Sequence, residues 1–148
     1  MARVVLAVVL VAVALAVAAY LRRRQAPDAP TQVRYLAPSQ LDRADFARPD
    51  APWLVAVFSS ASCATCADMV RKAMVLQSAE VAVDDVEVTA RKAVHDRYRI
   101  DAVPITVVAD AAGVVRAAFV GPASATDLWA AVAEARDPGS SPEPDLGR

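Results

Sequence analysis

The residues most able to do chemistry are two cysteines, the only ones in the chain, spaced as Cys63-Ala64-Thr65-Cys66. They follow the apolar run Trp53 to Ser59 and open a stretch with helical spacing, in which Cys66, Val70 and Ala73, and Met69, Ala73 and Leu76, share a face. That places them on a strand-to-helix turn. A helix N-terminus offers unpaired N–H groups and a positive dipole end, and both lower a thiol's pKa. The expected chemistry is thiol–disulfide exchange, with Cys63 as the exposed nucleophile and Cys66, one turn further in, as the resolving thiol. Three other readings compete. A structural zinc ion needs four ligands, and the one histidine, His95, lies on a different expected helix. Two soft thiolates could instead shuttle Cu(I), or the pair could simply pack as small hydrophobes.

Positioning these thiols is the work of the surrounding elements. Trp53 to Ser59 is a continuous apolar run bounded by Pro52 and a serine cluster, the pattern of a central strand buried on both faces. Thr31 to Leu36 is expected as a first strand. Ser39 to Phe46 is expected as a helix, with Ser39 and Asp42 arranged like a capping box. Cys63 to Gln77 reads as a helix, Val81 to Thr89 as a strand and Ala90 to Tyr98 as a short helix. Ile105 to Ala109 and Val114 to Val120 read as a hairpin turning at Asp110 to Gly113. Ser124 and Asp127 cap a last amphipathic helix carrying Leu128, Trp129, Val132 and Ala133. The order β-α-β-α-β-α-β-β-α predicts an α/β fold in which a parallel section is followed by an antiparallel hairpin and a closing helix.

With 148 residues there is room for one such domain. From Val4 to Leu21 run 18 residues drawn only from Val, Ala, Leu and Tyr. As a helix they span roughly 27 Å, close to the hydrocarbon thickness of a bilayer. Residues 1–24 are therefore expected to be a single-pass transmembrane anchor whose basic flank, Arg22, Arg23 and Arg24, meets anionic head groups. A cleaved secretory signal is the competing reading, from Arg3 and the triplet Ala16-Val17-Ala18. The three arginines favour a cytoplasmic domain at the cell membrane, with the extracytoplasmic side as the alternative. Residues 25–30 read as a linker, 31–136 as the domain and 137–148 as a disordered tail. Without residues 1–24 the chain keeps 12 basic against 17 acidic residues, a net charge of −5. The small basic cluster of Arg91, Lys92, Arg97 and Arg99 reads as a solvated helix face, and no nucleic-acid partner is expected.

The stretch Phe58-Ser59-Ser60-Ala61-Ser62-Cys63-Ala64-Thr65-Cys66 resembles the active-site turn of membrane-anchored, bacterial-type thioredoxin-like proteins. Ile100-Asp101-Ala102-Val103-Pro104-Ile105-Thr106 resembles the segment that carries that fold's cis-proline. The resemblance covers roughly residues 31–136. It implies a thioredoxin-like fold, a central mixed sheet flanked by helices, here preceded by the transmembrane helix. It also implies a cis Val103–Pro104 bond, Pro104 against Cys63, and an extended substrate segment pairing with the backbone just before that proline. The chain departs from thioredoxins proper at Ser62, where they carry Trp, at Ala64-Thr65, where they carry Gly-Pro, and at Val57, where they keep a buried acid. Arg71 stands near the place of their helix-kinking proline.

Elsewhere His95 is expected on the surface, Trp53 and Trp129 as core or core-edge anchors, and Met69 and Met74 as packing residues. The expected activity is that of a membrane-tethered thiol:disulfide oxidoreductase, needing no cofactor and no metal. It would act as a monomer on protein dithiols and disulfides through Cys63 and Cys66, with Val103 and Pro104 docking the substrate and Ser62, Ala64 and Thr65 forming the active-site turn. A redox-inert thioredoxin-like binding module and a thiolate metallochaperone are the alternatives.

Overall fold

The computed structural model describes residues 36–140. The expected membrane helix over 4–21 with its arginine flank, the linker over 25–30, residues 31–35 of the expected first strand and residues 141–148 of the tail lie outside the described part. Leu36 is exposed and belongs to no strand. Among the described residues no helix is long and apolar enough to cross a membrane.

Among the described residues four strands, β1 (Trp53–Ser59), β2 (Val81–Glu87), β3 (Ile105–Asp110) and β4 (Val115–Val120), form one sheet in the order β2-β1-β3-β4. Three helices of the described part accompany it: α1 (Ala64–Met74), α2 (Lys92–Tyr98) and α3 (Ala125–Arg136). As its unbroken apolar run requires, β1 is central, and Leu54 to Phe58 are each 0% exposed. Alternate β1 side chains serve two cores. Leu54, Ala56 and Phe58 pack with Phe46, Ala82, Val86, Ile105 and Val107, covered by Val94 and Tyr98 of α2. Val55 and Val57 face the other way, onto Met69 and Ala73 of α1 and Leu128 and Val132 of α3.

Only β1 and β2 run parallel; β3 pairs antiparallel with β1, and β4 with β3. Residues 31–35 of the expected first strand lie outside the described part, so one parallel pair is what the described sheet shows. After α2 the chain re-enters the sheet at the end it left, with Ile105 opposite Phe58.

The expected helix over Ser39 to Phe46 is a single 3₁₀ turn, Arg43–Asp45, capped by Asp42 rather than Ser39. The backbone before it pairs with the β3–β4 turn. Leu41 N–H donates to Gly113 O (2.8 Å) and Val115 N–H to Ser39 O (3.0 Å). Gly113 sits at φ +78°, and a Cβ there would lie 2.0 Å from Leu41 O, so this approach requires glycine.

Three further expectations change. His95 is buried: its Nε2 lies 2.7 Å from Val86 O, and its ring meets Phe58 edge-on at 5.4 Å between centroids. Trp129 and Met74 are 42% and 47% exposed, Trp129 donating Nε1–H to Lys72 O across the α1–α3 contact. The first tail residues fold back on α3, where Gly139 N–H meets the Glu134 carboxylate and Asp137 N–H donates to Ala133 O.

Buried charge ties the loops to the sheet. Arg43, 7% exposed, donates to Ala51 O (3.0 Å), Asp110 O (2.9 Å) and Arg48 O (3.3 Å). Burial lowers its pKa, opposed by the charges of Asp110 and Asp50. Asp84 accepts both contacts from Arg91 Nη1 (2.9 and 2.8 Å) and one from Ala47 N–H (2.9 Å). Nearby, Lys92 pairs with Asp96 and Arg97 with Asp42 and Asp45. Replacing Arg43 with Met keeps apolar volume but strands its carbonyl acceptors. The expected cost is about 2–3 kcal/mol, read from the urea midpoint at unchanged slope.

Asp110 clasps the β3–β4 turn, accepting Ala112 N–H (2.9 Å) and Val114 N–H (3.0 Å) and pairing with Arg116 (2.6 Å). Burial pushes its carboxyl up, but the Arg116 hydrogen bond, the Val114 and Ala112 N–H groups and the Arg116 charge together hold it below the usual carboxylate range. A depressed folded-state pKa contributes stability above the unfolded value, about 3.9, and that stability disappears as pH falls through the folded value. Asp110→Asn should lower the urea midpoint at pH 7 and flatten the loss of stability between about pH 5 and pH 3.

Candidate active site

The buried strand β1 ends at Ser59, and three small residues separate it from Cys63. That turn is held from both sides. Val88 N–H donates to Ser59 O (3.0 Å) and Cys63 N–H to Ser60 O (3.0 Å). Glu87, at the end of β2, accepts Ala61 N–H (3.2 Å) with one oxygen and Ala90 N–H (2.8 Å) with the other. These N–H groups, Ala90 foremost, hold the Glu87 carboxyl below its ordinary pKa against the opposing effect of burial. Ser60 and Ser62 hydroxyls pair at 3.1 Å on the exposed rim.

Cys63 is the N-cap of α1, with extended backbone at φ −103° and ψ 106°. A serine or aspartate oxygen usually does this work; here Cys63 Sγ accepts Cys66 N–H at 3.1 Å. Thr65 Oγ1 is 3.3 Å from the same sulfur. No acidic residue stands in the first turn of α1, so nothing there offsets the positive helix end. Asp68, a turn later, pairs with Lys72 (2.6 Å) and Arg71 (2.8 Å). Cys66 is 1% exposed and Cys63 half-buried, and a disulfide joins them with Cα atoms 5.2 Å apart. One sulfur is thus reachable and the other shielded.

Val103 and Pro104 come to the same end of the sheet, because Ile105 is opposite Phe58 and Pro104 therefore lies level with Ser59. Their peptide bond is cis. Pro104 is buried, Val103 half-buried against the Phe58 core, and Pro104 O accepts Gly121 N–H (2.8 Å) beyond the end of β4. Ser62, Ala64 and Thr65 are exposed around Cys63.

Reasoning from sequence missed the polar groups on the α1 side of the sheet. Val57 is flanked in register by Asp85 on β2 and Thr106 on β3. Asp85 accepts the hydroxyl of buried Ser59 (2.5 Å), while the buried Thr106 hydroxyl has no hydrogen-bond partner among the described residues. Alternation along β2 carried a signal for Asp85, since Val81, Val83, Asp85 and Glu87 share a face. Strand register, which decides that Asp85 stands beside Val57, leaves no mark in residue types. His95, the chain's one histidine, is turned into the opposite core.

No family model matches the sequence, and no curated protein matches it. Solved structures do. The thioredoxin of Fasciola hepatica superposes with a TM-score of 0.50 at 23% identity, covering 58% of this chain and 83% of that one. The germline-specific thioredoxin Deadhead of Drosophila melanogaster gives 0.50 at 22% identity, with the same 58% and 83% covered. At such identities the likeness speaks to architecture, and the architecture of the described domain is the thioredoxin fold.

Proposed function

We propose that this protein is a membrane-tethered thiol:disulfide oxidoreductase acting on protein partners. The observation that carries the reading is the Cys63–Cys66 pair at the N-terminus of α1, with a half-buried Cys63 Sγ receiving the Cys66 N–H and a shielded Cys66 one turn behind. In the reduced state the helix end and that N–H stabilise Cys63 as a thiolate. The thiolate attacks one sulfur of a partner disulfide; a Cys63–partner bond forms, the partner's S–S bond breaks, and the other partner sulfur leaves as a thiolate. Cys66 gives up its proton and attacks Cys63 Sγ, re-forming the intramolecular disulfide and releasing the second partner thiolate. Two electrons pass from the Cys63–Cys66 dithiol to the partner, and every step reverses when the partner is the dithiol.

In this reading the backbone at Val103 and Pro104 receives an extended partner segment beside Cys63, while the small residues Ser62, Ala64 and Thr65 leave the nucleophile open. No bound cofactor is required, since the two electrons are exchanged directly between the cysteine pair and the partner's. Residues 4–21 anchor the chain in the membrane, with Arg22 to Arg24 favouring a cytoplasmic domain. There the glutathione pool would keep the pair serving as a reductant; on the outer side either direction is open.

Equilibrating the full chain, in mild detergent, against glutathione or dithiothreitol buffers should give one two-electron transition between dithiol and disulfide, read by mass. A potential near or below about −230 mV marks a reductant and one near about −120 mV an oxidant. A pair that never cycles across that range removes the oxidoreductase reading in favour of a binding module or metal carrier. Cys66→Ser should accumulate a mixed disulfide with partner protein that Cys63→Ser does not form. The anchor is checked separately: alkaline carbonate should leave the full chain in the membrane pellet and release a variant lacking residues 1–24.

A further inference from the structure

Between the last residue of β1 and Cys63 the chain has little to pack with. Ser60, Ala61 and Ser62 lead into a turn closed by the Cys63 N–H on Ser60 O at 3.0 Å, and Ala61 and Ser62 are exposed. What reaches this turn from a distant element is the Glu87 carboxylate, which accepts Ala61 N–H at 3.2 Å. Its second oxygen takes Ala90 N–H at 2.8 Å, and Thr89 adds a backbone and a hydroxyl donor. Glu87 stands opposite Ser59 in the β1–β2 register, level with the point where packing stops holding the chain.

We propose that Glu87 is a positioning residue: its carboxylate fixes the turn from Ser60 to Cys63 and so sets where Cys63 Sγ points relative to the backbone at Val103 and Pro104. The assignment rests on the oxidoreductase reading and adds a residue on which its docking geometry depends. A carboxylate suits the task because it only accepts, so both oxygens take N–H groups at once; a glutamine amide has one oxygen, and its NH₂ would face a donor. Displacement at sulfur needs the attacking, central and leaving sulfurs nearly in line. A small free disulfide can rotate to meet Cys63 wherever it points. A disulfide held in a docked segment cannot, and a misplacement of about 1 Å can cost about a hundredfold in rate.

The geometry of the turn supplies a control. Glycines aside, positive φ among the described residues occurs at Arg48 and Arg99, so Ala61 and Ser62, the central residues, have the negative φ of a type I turn. Proline is favoured at the first central position of such a turn. Ala61→Pro therefore fixes the turn covalently while removing the N–H that Glu87 accepts.

The test uses the full chain in mild detergent, carrying Cys66→Ser so that the reaction stops at the mixed disulfide and the rate read by mass is that of Cys63 attack alone. Two probes are compared: insulin, whose disulfides sit in a folded protein, and hydroxyethyl disulfide, which is free to turn. Glu87→Gln should slow attack on insulin about tenfold and change attack on hydroxyethyl disulfide less than about twofold. Loss of a negative charge near the site favours the thiolate and speeds both reactions, so the expected slowing is opposite in sign to the charge effect. In the Ala61→Pro background the same substitution should change the insulin rate less than about twofold. Equal slowing with both probes, as from general loosening of the fold, or no slowing with insulin, overturns the assignment and leaves the oxidoreductase reading intact. A tenfold loss that persists in the Ala61→Pro background does the same, as does a Cys63 that attacks hydroxyethyl disulfide and never insulin. A Cys63 that attacks neither probe overturns the oxidoreductase reading itself, and the Glu87 assignment with it.

Discussion

The site depends on one unusual helix cap. A helix must satisfy the N–H groups of its first turn, and in α1 one of them, that of Cys66, is met by the sulfur of Cys63. In the proposed reaction the contact that starts the helix also supports the sulfur, as an anion, once the disulfide opens. Helix formation and the activation proposed for Cys63 share an atom, which ties the cysteine spacing to this point of the fold. Cys66, three residues later, comes round to the buried side of the same turn, at 1% exposure. One turn of helix is enough to separate a reachable sulfur from a shielded one.

For the cap to lie at the surface, β1 has to stop abruptly. Five β1 residues with 0% exposure pin the strand between two cores, and then the composition changes to serine and alanine, which neither core can use. Glu87 takes over from packing at that point, with its carboxylate spanning the N–H groups of Ala61 and Ala90. A charged acceptor suits the place, since turn N–H groups at the edge of water are better satisfied by an anion than by burial. Elsewhere the same device recurs with opposite sign: the Arg43 guanidinium ties the loop carbonyls of Arg48 and Ala51 to that of Asp110 at the end of β3. The core supplies rigidity, and single charges aim the loops.

The second half of the site is brought in by a reversal of strand direction. Because β3 runs antiparallel to β1, it starts beside the end of β1, and the cis Val103–Pro104 bond falls level with Ser59. The reversal that makes the sheet mixed is thus also what gathers two segments some 40 residues apart into one surface.

Much of this was legible beforehand. The unbroken run Trp53 to Ser59 demanded a central strand, the cysteine spacing at a strand-to-helix junction specified the turn, and Ser124 announced the start of α3, which it caps through Asp127 N–H. These are local matters, decided by residue types within a few positions of one another. Ser39 to Phe46 misled because its helix-like composition was overridden by pairing with the distant turn at Gly113, and His95 because a polar residue on a short helix gives no sign that Phe58 and the Val86 carbonyl wait beneath it. The neighbours of Val57, Asp85 on one side and Thr106 on the other, follow from strand register, and the aim of the Thr65 hydroxyl at Cys63 Sγ from a rotamer choice. Sequence alone singled out the two cysteines and the strand that carries them. The tertiary structure decided what surrounds each sulfur, because that depends on contacts between segments far apart in the chain.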